Sequence, residues 1–305
     1  MEDLFLFPTT VHELDAPLET IPTGITSIKA PELWEVSKKG EGIVIAVIDS
    51  GVDVEHPDLK ENIIDGYNFT DDDNGDPHAY YDYKGHGTHV AGIIAASENG
   101  EGIIGVAPKA KLLILKVLNK KGLGKIDSLI NAIEYAISWR GKNNEQVQVM
   151  NLSLGSLKKS DELRRVIKKA NKQGIILVGA SGNYGDNDSE TDEILFPNFY
   201  KEVIQIGAVD LEKKISRFSN SNPNLDFVAP GENIISTYIG QSYSSMSGTS
   251  MASPHVSGAI ALVLNILSNK DINLTPATVY SYLLIHAIAL GFSPNEEGNG
   301  YIQLV

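Results

Sequence analysis

From about residue 40 onward, short apolar runs alternate with stretches whose apolar positions recur at helical spacing. The runs at 43–48, 112–117, 147–152, 175–180 and 203–209 have the length of buried strands. Between them, Ile126, Leu129, Ile130, Ile133, Ala136 and Ile137 share one face of a helix predicted over 126–139. Leu163, Val166, Ile167 and Ala170 do the same over 161–172, with Ser160 placed to cap it. Strands alternating with helices predict crossover units. The fold class that follows is α/β, a three-layer, doubly wound and mostly parallel sheet with helices on both faces. Chemistry in such a sheet sits beyond the carboxyl ends of its strands. No internal repeat interrupts the pattern, so a single domain over 25–305 is expected.

Residues 1–24 break the pattern. They carry Pro8, Pro17 and Pro22 and an apolar patch, Leu4-Phe5-Leu6-Phe7, without helical or strand periodicity. So apolar a patch is costly to leave in water. The segment therefore reads as an extension lying on the domain, with a disordered tail as the alternative.

Composition narrows the function classes. The net charge of −14 argues against nucleic acid as a partner, because phosphate binding needs basic patches. The absence of cysteine removes disulfides, thiolate metal sites and a cysteine nucleophile. No run approaches the roughly 20 apolar residues of a membrane helix, so no membrane association is expected. The acidic start Met1-Glu2-Asp3 lacks the positive region of a secretory signal, which points to the cytoplasm.

Three segments carry candidate chemistry. In Val47-Ile48-Asp49-Ser50-Gly51 an apolar strand runs into a carboxylate; alone, such an aspartate also reads as a turn or helix cap. In Gly85-His86-Gly87-Thr88-His89 the flanking glycines let backbone approach His86, and no glutamate lies between the histidines to suggest a zinc-protease helix. In Ser247-Gly248-Thr249-Ser250-Met251 a serine heads an apolar helix expected over about 250–268, where an ordinary N-cap is the simpler reading. Together they supply a nucleophile, a base and a carboxylate to orient the base.

These segments resemble the signatures of the subtilisin family, in the chain order Asp, His, Ser. The resemblance spans about 25–305 and implies a serine endopeptidase acting through an acyl-enzyme, with Asp49, His86 and Ser250 as the triad. Asn183 in Ser181-Gly182-Asn183 matches the oxyanion-hole asparagine, with the Ser250 N–H as second donor. Ser153-Leu154-Gly155 and Gly122-Leu123-Gly124 match the two edges that hold an extended peptide. Tyr184 stands where many members carry a glutamate at the pocket rim, although Glu190, Asp192 and Glu193 follow closely.

The segments Trp139-Arg140-Gly141 and Glu297-Gly298-Asn299-Gly300 are similar to the bacterial intracellular branch. That branch implies an extension that crosses the active site and inhibits it, here through Leu6, Phe7 and Pro8, and a possible homodimer. The family also implies bound calcium, with sodium as the alternative at one site. One site would use carbonyls of Asn198, Tyr200 and Val203 with the Asp226 carboxylate. Another would use Asp58, Asn99 and the carbonyls of Glu101 and Ile103, without a recognisable N-terminal ligand. Protein or peptide substrates are the expected partners. The rival readings are a protease dedicated to leader peptides and a non-catalytic peptide-binding homologue.

Overall fold

The computed structural model describes residues 3–14, 18–270 and 272–305; Met1, Glu2, Pro17 and the other remaining residues lie outside the described residues. Its centre is a seven-stranded parallel sheet. In spatial order the strands are Phe227–Pro230, Ile204–Val209, Ile176–Ala180, Val147–Leu152, Val44–Asp49, Lys111–Lys116 and Ile63–Asn68.

The interior strand Val44–Asp49 shows how the layers arise. Every residue of Val44–Asp49 is buried, and successive side chains leave opposite faces of a strand. Ile45 and Val47 therefore enter one core with Val90, Ile94, Val256 and Ile260. Val44, Ala46 and Ile48 enter the other with Leu129, Ile133, Leu163 and Ile167. Helices His86–Ala95 and Thr249–Asn269 cover the first face, and Ile126–Ser138 and Asp161–Lys172 the second. Ser160 caps the last of these by accepting the Leu163 N–H at 3.2 Å.

Several elements escape the sequence pattern. Ile63–Asn68 is an edge strand of mixed exposure, and Phe227–Pro230 has only four residues. The antiparallel hairpin Ile234–Tyr238 and Ser242–Ser247 is rich in serine and lacks an apolar rhythm. Helix Thr249–Asn269 is long and apolar enough to span a bilayer, which corrects the reading that no segment is; 94% of its apolar window is buried inside the protein, as in a core helix.

The extension also departs from expectation, because it contains strands. Leu4–Phe5 pairs antiparallel with Leu123–Gly124, and Thr10–Leu14 pairs antiparallel with Ser242–Ser247. Both partners are remote in sequence, so neither strand leaves a local periodic trace.

Candidate active site

Asp49 is the last residue of the interior strand Val44–Asp49, which delivers its carboxylate to the carboxyl edge of the sheet. Its Oδ1 accepts the Ser50 N–H at 2.7 Å and is 2.8 Å from His86 Nδ1. That contact places the imidazole proton on Nδ1, leaving the lone pair on Nε2. His86 Nε2 is buried and has no hydrogen-bond partner among the described residues.

His86 opens its helix, and the surrounding glycines are sterically required. A Cβ on Gly87 would lie 2.2 Å from the Gly51 carbonyl oxygen, and one on Gly85, at φ 79°, would lie 2.0 Å from the Tyr238 ring. Asp82 caps this helix: Oδ2 accepts the Thr88 N–H and hydroxyl at 2.9 and 2.8 Å. Its Oδ1 accepts the Ser50 hydroxyl at 2.9 Å, and Ser50 Oγ accepts the Gly87 N–H at 3.0 Å. Beside Asp49, across the strand pair, the ammonium of fully buried Lys116 donates to Ser50 O at 2.7 Å and Leu118 O at 3.0 Å, 3.3 Å from Asp72.

Ser250 lies in the first turn of helix Thr249–Asn269, where backbone N–H groups and the helix dipole favour negative charge. Pro254 sits four residues on and has no N–H to give the Ser250 carbonyl. Ser153 Oγ donates to that carbonyl instead, at 3.1 Å, and is itself held by Asn151 Nδ2 at 2.8 Å. The Ser250 hydroxyl donates to Ser153 O at 3.2 Å, so in this arrangement it is turned to Ser153 and not to His86.

Asn183 is fixed from behind. Its Oδ1 accepts the Thr249 N–H and hydroxyl, each at 2.8 Å. Gly248 permits this approach, since a Cβ there would lie 2.7 Å from Asn183 Nδ2. The amide Nδ2 then donates to the Pro8 carbonyl at 2.7 Å.

The extension runs between the two expected peptide-binding edges. Asp3 and Leu6 donate to the Gly124 and Gly122 carbonyls at 2.9 and 3.1 Å. Phe5 and Gly155 exchange N–H···O bonds of 3.0 and 3.2 Å. Leu123 pairs with Phe5 without leaving the surface, while Ser153 and Leu154 are buried behind the channel. Phe7 is 2% exposed and packs against Ala180 and Leu195, and a Cβ on Gly155 would come within 2.6 Å of its ring. Tyr184 meets the edge of the Phe5 ring at 6.3 Å between centroids.

Two other buried histidines, His89 and His255, stand apart from this chemistry. Burial pushes His89 down to about 3 and His255 down to about 4, so both are neutral at pH 7. His89 Nε2 faces the Ile234 and Ser244 carbonyls, and His255 Nδ1 bonds Met251 O.

The two expected cation positions differ. Burial raises the Asp226 carboxyl to about 6, and its oxygens take the Gln205 N–H and the Tyr280 hydroxyl, each at 2.8 Å. The Tyr200 carbonyl accepts the Val203 N–H at 2.9 Å, and Asn198 turns its amide inward to Leu154 O and Ala180 O. Both Asp226 oxygens are thus taken by protein donors. Around Asp58 the donor set is richer. Asn99 Nδ2 donates to Asp58 Oδ1 at 3.0 Å, and Ile103 N–H and Tyr243 O–H to Oδ2 at 3.0 and 2.9 Å. Glu19, which the sequence did not single out, brings a second carboxylate to the same loop, accepting the Asn99 and Gly100 N–H groups at 2.9 and 2.6 Å. Its Thr20 neighbour pairs with the loop at Gly102 and Ile104. Carboxylates and carbonyls are the donor type a hard cation takes, while here Asn99 presents its amide nitrogen to Asp58 and its Oδ1 to the Glu101 N–H.

Residues that the sequence reading missed are Asp82, Ser50, Thr249 and Lys116. Asp82 left no capping signal, because it precedes the Gly85 N-cap by three residues and reaches Thr88 only through the fold of the intervening loop. The others act through contacts formed only on folding.

Residues 40–300 match the Subtilase family. The chain is 47% identical over 300 residues to the "Intracellular serine protease" of Paenibacillus polymyxa, covering 98% of this chain and 90% of that one. It is 43% identical over 304 residues to the "Major intracellular serine protease" of Bacillus subtilis (strain 168), covering 99% and 93%. "Subtilisin E" of the same organism is 43% identical over 247 residues, covering 81% and 62%. With the buried Asp49–His86 pair and a serine in the first turn of a helix, these similarities establish that the chain belongs to the subtilase family.

Proposed function

We propose that this chain is a serine endopeptidase that cleaves proteins and peptides through an acyl-enzyme. The observation that carries the reading is the hydrogen-bonded Asp49–His86 pair, whose unpartnered Nε2 is available to take a proton. The Ser250 hydroxyl exchanges its bond to Ser153 O for one to His86 Nε2 and attacks the substrate carbonyl as its proton passes to the imidazole. Asp49 holds the tautomer and stabilises the imidazolium. Asn183 Nδ2 and the Ser250 N–H stabilise the oxyanion. The imidazolium then protonates the leaving amine, and water repeats the sequence to release the acyl group.

The extension is an inhibitory strand in this reading. Phe7 fills the primary pocket, but Asn183 holds the carbonyl of the next residue, Pro8. In a productive substrate the pocket side chain and the polarised carbonyl belong to one residue. The offset, together with a bond whose leaving nitrogen is a proline ring nitrogen, supports an occupant that resists cleavage. A calcium ion held by Asp58, Asn99, Glu19 and the carbonyls of Glu101 and Ile103 would brace the 97–103 loop; it takes no part in the chemistry. The relatives named intracellular support a cytoplasmic protease.

Reaction with a serine-directed fluorophosphonate tests the assignment. The full chain, with its extension displaced by substrate competition or proteolysis, should label at Ser250, and the Ser250→Ala variant should neither label nor turn over a peptide. Turnover retained in that variant would overturn the mechanism.

A further inference from the structure

The extension does not stop at the oxyanion donor. Beyond Pro8, Thr9 lies against Gly248, 3.2 Å from where a Cβ would stand, and Thr10–Leu14 adds an antiparallel strand to Ser242–Ser247. The register runs Thr10 with Ser247, Val11 with Met246, His12 with Ser245, Glu13 with Ser244 and Leu14 with Tyr243. Apart from this pairing, Ser242–Ser247 is the outer strand of a two-stranded hairpin, presenting a row of backbone donors and acceptors. The inner strand is anchored, because Ser236 and Thr237 bond the His89 and Thr88 carbonyls of the catalytic-histidine helix at 2.7 and 2.8 Å.

We infer that the free edge of Ser242–Ser247 is a binding site for the substrate segment that follows the cleaved bond. The inference rests on the acyl-transfer reading and extends it to the leaving-group side. The chain's own residues 9–14 supply the geometry, since a peptide passing the oxyanion donor in the same direction reaches this edge. All five side chains of Thr10–Leu14 are exposed, so the recognition is main-chain pairing that tolerates many sequences. The same strand leads through Ser247 and Gly248 into the nucleophile helix, so its occupant lies beside the segment carrying Ser250.

The site predicts a dependence on leaving-side length. The test uses the full chain carrying Phe7→Ala, Val11→Pro and His12→Pro. Successive N–H groups of a strand point to opposite sides, so prolines at two adjacent positions remove at least one ladder donor and release the edge. Two peptides share one acyl-side sequence; one carries two residues after the bond and the other seven, the span from Phe7 to Leu14. The longer should show kcat/KM about tenfold or more higher, the scale of a few net main-chain hydrogen bonds. Adjacent N-methyl groups in its distal half should erase the gain. Equal kcat/KM for both lengths overturns the inference while leaving proteolysis intact. Binding of the same labelled peptides to this released variant with Ser250→Ala added decides independently of turnover: tighter binding of the long peptide supports the site, and equal affinity refutes it. Absence of turnover in the active form would instead count against the protease reading.

Discussion

Asn183 Nδ2 lies 2.7 Å from the carbonyl oxygen of Pro8, one residue past Phe7, whose side chain is buried against Ala180 and Leu195. The amide proposed to polarise a substrate carbonyl is thus engaged by the protein's own extension. Its aim is set by Thr249, whose N–H and hydroxyl hold the other end of the amide. Asn183→Ala should lower kcat by about 10²–10³-fold with little change in KM, the size seen when a subtilisin loses its corresponding asparagine. Steady-state kinetics on a short peptide checks this; an unchanged kcat would remove Asn183 from the oxyanion site.

The extension should be self-limiting through Pro8 and Phe7. Replacing Phe7 by Asp would put a charge among Ala180 and Leu195 and expel the segment. Basal activity of the full chain should then rise at least tenfold. Pro8→Ala should instead expose the extension to cleavage near Phe7, visible as a mass change that Ser250→Ala prevents. If neither variant alters activity or mass, the strand does not inhibit.

Ser153 substitutes for the hydrogen bond that Pro254 cannot make. Its hydroxyl serves the Ser250 carbonyl while its own carbonyl accepts the Ser250 hydroxyl. Ser153→Ala leaves a buried carbonyl without its donor and should cost about 1–3 kcal/mol in urea unfolding. A stability equal to that of the parent would mean the carbonyl is otherwise satisfied.

Acid should destabilise the fold through its buried histidines. His255 and His89 titrate near 4 and 3 when folded, against about 6.5 unfolded. A depressed folded pKa gives stability that is present above pH 6.5 and lost as pH falls toward the folded value. At pH 5 each histidine accounts for a loss of about 2 kcal/mol. The His255→Gln variant should lose less stability than the parent between pH 7 and pH 5; identical slopes would show that His255 does not contribute.

The two carboxylate clusters should answer differently to ions and pH. Asp226 is raised from 3.8 to about 6, so its contribution is fully present below 3.8 and lost as pH rises through 6. Asp226→Asn should therefore raise the melting temperature at pH 8 and leave any calcium-induced increase intact. Asp58→Asn should abolish that increase. Calcium stabilisation lost with Asp226→Asn and kept with Asp58→Asn would reverse the assignment.

The sequence by itself determined the layers and the chemical identity of the site. Apolar runs such as 147–152 and the helical face of 161–172 are local signals, because period and burial follow directly from side-chain polarity. Asp49, His86, Ser250 and Asn183 were legible for another reason, the resemblance of their segments to the subtilisin family's signatures, since Asp49 and Ser250 taken alone read as caps. Tertiary structure alone decided the rest. The strands at Leu4–Phe5 and Thr10–Leu14 exist through pairing with Leu123–Gly124 and Ser242–Ser247, far away in the chain. Glu19 became a possible ion ligand, Lys116 a buried cation and Ser153 a partner for Ser250 only when folding brought their counterparts within hydrogen-bond reach. A hydrogen bond between remote residues depends on ångström-scale placement, and one-dimensional patterning carries no such distance.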